Sequence, residues 1–176
     1  SLAMFKSLSF PRHKLAVALT AALLSGALLM GTAPGPAVAA GDGGLNTNTS
    51  SLAGDPTYVQ AVALIKAEQY GQAIPLLQQV VQTNPTEADP FNWLGFAMRQ
   101  TGQNDDAFTY YYRALELDPK HTGAMAYLGE LYLKVGDLAK AQELEQRLVG
   151  ACPFGCSQLN ELRASIASYM ESQGSS

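Results

Sequence analysis

The chain has 176 residues, enough for one domain with its own core and too few for two comfortable ones. Eleven Lys and Arg stand against fifteen Asp and Glu, a net charge of −4, and no basic cluster interrupts this balance. Such a surface repels phosphate backbones and anionic lipid, which argues against nucleic-acid binding and peripheral membrane attachment.

The charge is unevenly spread. Before residue 40 there is no acidic residue, and the charges are Lys6, Arg12 and Lys14. An uncharged apolar run from Leu15 to Met30 follows, then the helix-breaking GTAPGP and the small residues Ala37 and Ala39. A basic start, a short apolar run and an A-x-A site describe a secretory signal peptide over residues 1–39, with cleavage expected after Ala39. The alternative is a retained membrane anchor, for which the run is short and diluted by Thr20, Ser25 and Gly26. Cleavage would leave eight Lys and Arg against fifteen acids, a net −7, in a periplasmic or secreted chain with no stable membrane insertion.

Residues 40–55, AGDGGLNTNTSSLAGD, are rich in Gly, Asn, Thr and Ser and read as a flexible linker. The folded part is expected over 56–171, with a disordered tail at 172–176. Its order comes from Pro85, Pro119 and Pro153, which are evenly spaced and each follow an apolar helical pattern. A fixed period of about 34 residues marks a solenoid of units that bury their apolar faces only by stacking.

Three units follow from the period: 54–87, 88–121 and 122–155. In the second, Leu94-Gly95 falls midway along a first helix, Gly102 ends it, and Asn104, Asp105 and Asp106 open a second helix that carries Ala107, Tyr111 and Ala114. The third repeats this with Leu128-Gly129, Tyr132, Gly136, Asp137, Ala141 and Leu148. Small residues at Gly95, Gly129, Ala107 and Ala141 let two helices approach closely. Leu94, Leu128, Tyr111 and Tyr132 fill the remaining space, and the prolines stop each second helix.

This pattern resembles the tetratricopeptide repeat family, over about residues 54–155. The first unit keeps Ala73, Leu77, Val80 and Pro85, but has Ala61 in place of the glycine, Leu64 where an aromatic is usual, and Pro75 early in its second helix, where a mild kink is expected. After Pro153, Leu159, Leu162, Ile166, Tyr169 and Met170 recur at helical spacing, and residues 157–171 read as a capping helix. The expected architecture is all-α, an α-solenoid of three helical hairpins plus this cap.

No catalytic constellation stands out. Once the leader is removed His121 is the only histidine, so neither a histidine triad nor a histidine cluster can be assembled. Asp105 and Asp106 suit the macrodipole of the helix they open. No glycine loop suits a phosphate, so no cofactor, metal or enzyme activity is expected. Of the run Tyr110, Tyr111 and Tyr112, successive residues point about 100° apart, so Tyr111 is expected in the core and no single platform forms.

The resemblance implies a concave groove lined by the first helix of each hairpin, which receives a peptide or helix of a partner protein. By repeat position the groove residues are Tyr58, Val62, Ile65 and Lys66 in the first unit, Asp89, Asn92, Phe96, Arg99 and Gln100 in the second, and Ala126, Glu130, Leu133 and Lys134 in the third. Asn92, Arg99 and Lys134 are expected to hold a carboxylate or backbone carbonyls, and Phe96 to supply an apolar anchor. Tyr58 and Val62 depart from the basic and asparagine residues by which chaperone-binding relatives clamp a C-terminal carboxylate.

The only cysteines, Cys152 and Cys156, bracket a turn with Pro153 and Gly155. In an exported chain an even count with no leftover thiol suits a disulfide that fixes the capping helix. The alternative is a copper-handling or thiol-redox accessory that acts through Cys152 and Cys156, by analogy of C-x-x-x-C spacing with exported copper-handling proteins of the thioredoxin fold.

Overall fold

The computed structural model describes residues 51–174. The expected signal peptide 1–39, residues 40–50 of the expected linker and the last two residues lie outside the described residues.

The described residues form seven helices: α1 (Pro56–Lys66), α2 (Tyr70–Thr83), α3 (Ala88–Gln100), α4 (Asn104–Leu117), α5 (Thr122–Lys134), α6 (Leu138–Ala151) and α7 (Ser157–Gly174). Folding begins a few residues before the expected boundary at Pro56. Leu52 is buried, and the Asp55 carboxylate accepts from the Thr57 and Tyr58 N–H groups at 2.8 and 3.0 Å, which caps α1. At the other end α7 runs past the expected limit of the cap, to Gly174.

The period of the sequence recurs in the hydrogen bonds. At the end of α1, the N–H groups of Ala67, Glu68 and Gln69 bond to the carbonyls of Ala63, Ile65 and Leu64. The same set returns at Thr101, Gly102 and Gln103, and again at Val135, Gly136 and Asp137. This elbow needs a left-handed residue at its centre, and Gly102 and Gly136 supply it at φ 83° and 88°. Between hairpins a proline turn closes three times, by Glu87 N–H on Asn84, His121 N–H on Asp118 and Gly155 N–H on Cys152. Arg113 donates to the Pro85 carbonyl at 3.5 Å and Arg147 to that of Pro119 at 3.4 Å, so even a long side chain repeats its role.

Each hairpin packs on the next, and α1, α3 and α5 also touch one another in series, whereas α2, α4 and α6 do not. One layer is thus closely set and the other splayed, which curves the solenoid with α1, α3 and α5 on its concave side. Leu77, Leu94, Tyr111, Leu128, Leu148 and Leu162 are fully buried along the axis, each stabilising the fold by about 1.5–3 kcal/mol. Gly95 is a notch for the Tyr111 ring, since a Cβ there would lie 2.8 Å from it. Pro75 lies inside an unbroken α2 on its exposed side.

Tyr132 departs from the expected core role. It is half-buried and packs its ring 5.0 Å from Phe108, with its hydroxyl meeting that of the exposed Tyr112. Burial, and then the Tyr112 hydroxyl, raise its phenol above the ordinary range.

The helix α7 stands where a fourth hairpin would begin. Leu162 fills the notch at Gly129, where a Cβ would lie 2.7 Å from it. One repeat beyond Gly129, at the register that Gly95 and Gly129 share, stands Arg163, whose Nε binds Glu145 of α6 at 2.8 Å. A charged side chain thus stands in α7 at the register where α3 and α5 carry glycine.

Candidate functional site

The concave layer brings together a strip of half-buried aromatic rings. Phe96 of α3 lies 4.9 Å from Tyr127 of α5, 5.9 Å from Trp93 and 5.8 Å from Tyr70 at the start of α2, measured between ring centres. Trp93 and Tyr127 hold the same place in successive repeats and are 6.4 Å apart between rings, so equivalent positions of adjacent hairpins build the strip.

Arg99 is set into this strip. Its guanidinium lies 5.4 Å from the Phe96 ring and 5.9 Å from that of Tyr127, and pairs with Glu130 at 2.8 Å. Both partners are largely shielded, with side chains 13% and 22% exposed, so the pair is better protected from solvent screening than a surface ion pair. Desolvation raises the Tyr111 phenol beneath them, a rise that Arg99 opposes. The Tyr127 phenol is pushed up to about 12 by burial first and then by the nearby Glu161 and Glu130 carboxylates. Both phenols therefore remain neutral hydroxyls at physiological pH.

The expected groove residues other than Asp89 fall into three groups. Phe96, Arg99 and Glu130 come together as described, with Lys134 beside them, its ammonium donating to the Arg99 carbonyl at 3.1 Å. Tyr58, Ile65, Asn92, Ala126 and Leu133 are buried and belong to the packing between helices. Val62 is half-buried and packs on the core, while Lys66 and Gln100 are exposed. Asn92, Arg99 and Lys134, expected to hold a carboxylate or backbone carbonyls of a partner, have these surroundings in the chain itself. Asn92 is only 2% exposed, and the charges of Arg99 and Lys134 are turned onto Glu130 and a backbone carbonyl.

Asp89 is likewise engaged inside the protein. It accepts from His121 Nε2 at 2.9 Å, while His121 Nδ1 accepts from the Ala124 N–H at 3.1 Å and caps α5. Trp93, Tyr127 and Tyr70 were not among the expected groove residues. The recurrence of an aromatic residue one repeat after Trp93 was the available signal.

Cys152 and Cys156 form a disulfide with Cα atoms 5.8 Å apart. Cys152 is the C-terminal cap of α6, and the Cys156 carbonyl accepts from the Asn160 N–H in the first turn of α7. The bridge therefore joins the last hairpin to the cap.

Two family models described as tetratricopeptide repeat match the chain, at residues 58–122 and 98–166. Among curated relatives, the probable biofilm formation methyltransferase WspC of Pseudomonas aeruginosa is 34% identical over 84 residues, which are 48% of this chain and 20% of that protein. The chain thus spans about a fifth of that relative's length. Among solved structures, the type III secretion translocator chaperone SycD of Yersinia enterocolitica aligns with 67% of this chain and 83% of its own, at 17% identity and a TM-score of 0.61. SycD in complex with a peptide of the translocator YopD aligns with 66% of this chain and 88% of its own, at 22% identity and a TM-score of 0.57. Sequence period, helix packing and these matches agree that the chain carries tetratricopeptide repeats from residue 58 to residue 166.

Proposed function

We propose that the chain is a non-catalytic interaction scaffold, exported to the periplasm or beyond the cell, that binds a peptide or helix of a partner protein on the concave face of α1, α3 and α5. The observation that carries this reading is the strip of Trp93, Phe96 and Tyr127 around the Arg99–Glu130 pair. Half-buried aromatic rings combine large apolar area with little rotamer freedom, which is the character of residues that dominate binding energy. The SycD–YopD peptide complex supports peptide binding by this architecture. Export is supported by the sequence pattern of residues 1–39 and by a disulfide that an oxidising compartment would preserve.

Trp93 is the only tryptophan of the chain and reports on the groove. A partner recovered from an envelope fraction is expected to shift Trp93 emission on titration with purified chain. Phe96→Ala is expected to weaken that binding at least tenfold with unchanged helical content. A partner that leaves Trp93 emission and the Phe96→Ala affinity unchanged would sink the groove reading. Export is checked by fractionation and N-terminal sequencing, with Ala40 as the expected first residue.

A further inference from the structure

We propose that the concave face selects a partner segment in which apolar side chains adjoin a lysine or arginine, with Glu161 of α7 receiving the cation at the end of the aromatic strip. This rests on the groove reading and adds the partner's chemistry to it. Trp93 of α3 and Tyr127 of α5 hold one position of the repeat. The same position falls on the exposed Val59 in α1 and on Glu161 in α7. The next residue of three of these helices confirms the register, since Leu94, Leu128 and Leu162 are all fully buried and Leu162 enters the notch at Gly129. One column of side chains thus runs along the stack as Val59, Trp93, Tyr127 and Glu161. It changes from apolar to aromatic to acidic.

The acid at the end of this column has no cation of its own. Glu161 is exposed, and the ion pairs among the described residues leave its carboxylate out. The cations of α1, α3, α5 and α7 are Lys66, Arg99, Lys134 and Arg163. Arg99 is turned onto Glu130, Lys134 onto the Arg99 carbonyl and Arg163 onto Glu145, while Lys66 stands at the end of α1, at the other end of the stack. The field of Glu161 nevertheless reaches the strip. After burial, it is the largest influence that raises the Tyr127 phenol.

The chain itself shows how a cation is held on this face. The Arg99 guanidinium lies 5.4 Å from the Phe96 ring centre and 5.9 Å from that of Tyr127 while it pairs with Glu130. Rings and one carboxylate satisfy a charge together there, and Tyr127 with Glu161 repeats the combination without a cation of the chain to complete it. Charge complementarity therefore asks for a basic side chain at this end and apolar side chains along Tyr127, Trp93 and Val59. A net charge of −4 favours a basic partner from a distance as well. An acidic segment would meet Glu161 with like charge, which disfavours it.

A displayed library of random peptides is selected on the purified full chain, and the recovered peptides are synthesised and titrated. They are expected to carry lysine or arginine beside apolar residues, and Glu161→Gln is expected to weaken them about fivefold, the combined worth of an exposed ion pair and a cation over a ring. Asp105→Asn, which removes one charge from the exposed side of α4, should leave the affinity unchanged. Glutamate in place of the basic residue of the peptide should weaken binding, and Glu161→Lys should restore it. Salt raised from about 50 to about 500 mM should weaken binding to the parent chain more than to Glu161→Gln. Glu161→Gln should keep its helical content, because the side chain is exposed. Peptides that depend on Phe96 but lack a basic residue, or that ignore Glu161→Gln, would overturn the proposal and leave the groove reading standing. Equal losses from Glu161→Gln and Asp105→Asn would reduce the effect to net charge and overturn it too. If no peptide is recovered whose binding Phe96→Ala weakens, the groove reading and the proposal fall together.

Discussion

At the elbow of the first hairpin Glu68 is held at φ 57°, while Gly102 and Gly136 occupy the same place in the second and third at 83° and 88°. The three hydrogen bonds around the elbow are the same in all three hairpins. A residue with a Cβ costs roughly 1–2 kcal/mol in this region, so the surrounding bonds and packing impose the conformation on Glu68. A similar contrast holds at the helix notch, where Ala61 stands in the first hairpin and glycine in the others. Tyr111, which fills the notch at Gly95, has Leu77 as its counterpart in the first hairpin. The repeat geometry therefore belongs to the backbone and its neighbours collectively, and the terminal unit reaches it with less suitable residues.

The notch offers the strongest way to break this comparison. Gly95→Ala places a methyl group 2.8 Å from the Tyr111 ring, which is fully buried and cannot swing aside. It is expected to cost about 1–3 kcal/mol, as overpacking in a tight core does. Gly129→Ala meets the ends of the Leu162 side chain at 2.7 and 2.8 Å, a group with more freedom to turn, and should cost less. Urea unfolding of both variants checks the order. Equal midpoints for Gly95→Ala and the parent chain would show that the notch is not tight.

The corners give a second contrast. At the second one, the Asp118 carboxylate accepts from the Lys120 N–H and His121 caps α5 through a side-chain nitrogen, whereas the third is closed covalently. Cys152→Ser with Cys156→Ser is expected to cost about 2 kcal/mol, the chain-entropy value for so short a loop. Amide exchange should localise the loss, with faster exchange in the first turns of α7 and little change in α1. Uniformly faster exchange along all the described helices would mean that the bridge supports the whole stack and does not act as a local latch.

Much of the fold was legible because the period repeats in residue types, as with Pro85, Pro119 and Pro153. The helix ends keep it too: α2, α4 and α6 begin at Tyr70, Asn104 and Leu138. The site was less legible, since its electrostatics depends on which charges meet across hairpins. Arg99 pairs with Glu130 and Asp89 with His121, each across nearly a full repeat, so neither pair follows from local spacing. Read by repeat position alone, Arg99 and Lys134 were available for a ligand, but packing turned both onto partners within the chain. The burial of Asn92 was hidden for the same reason, because a groove position on one helix is also a contact position for its neighbour.

The smallest predicted effect has the opposite sign. Glu68→Gly would place at the first elbow the residue that the other two already have, and the Glu68 side chain is exposed. Relief of the left-handed strain favours the variant, while the greater freedom of glycine in the unfolded chain takes back roughly 0.5–1 kcal/mol. The balance is a gain of about 0.5–1 kcal/mol, a rise of a few degrees in the melting midpoint for a domain of this size. The corresponding Gly102→Glu should lose a similar amount, so that the pair of substitutions exchanges the two elbows. If Glu68→Gly were neutral or destabilising, the glutamate would be holding the elbow by contacts of its side chain, and the first hairpin would differ from the others in more than its residues.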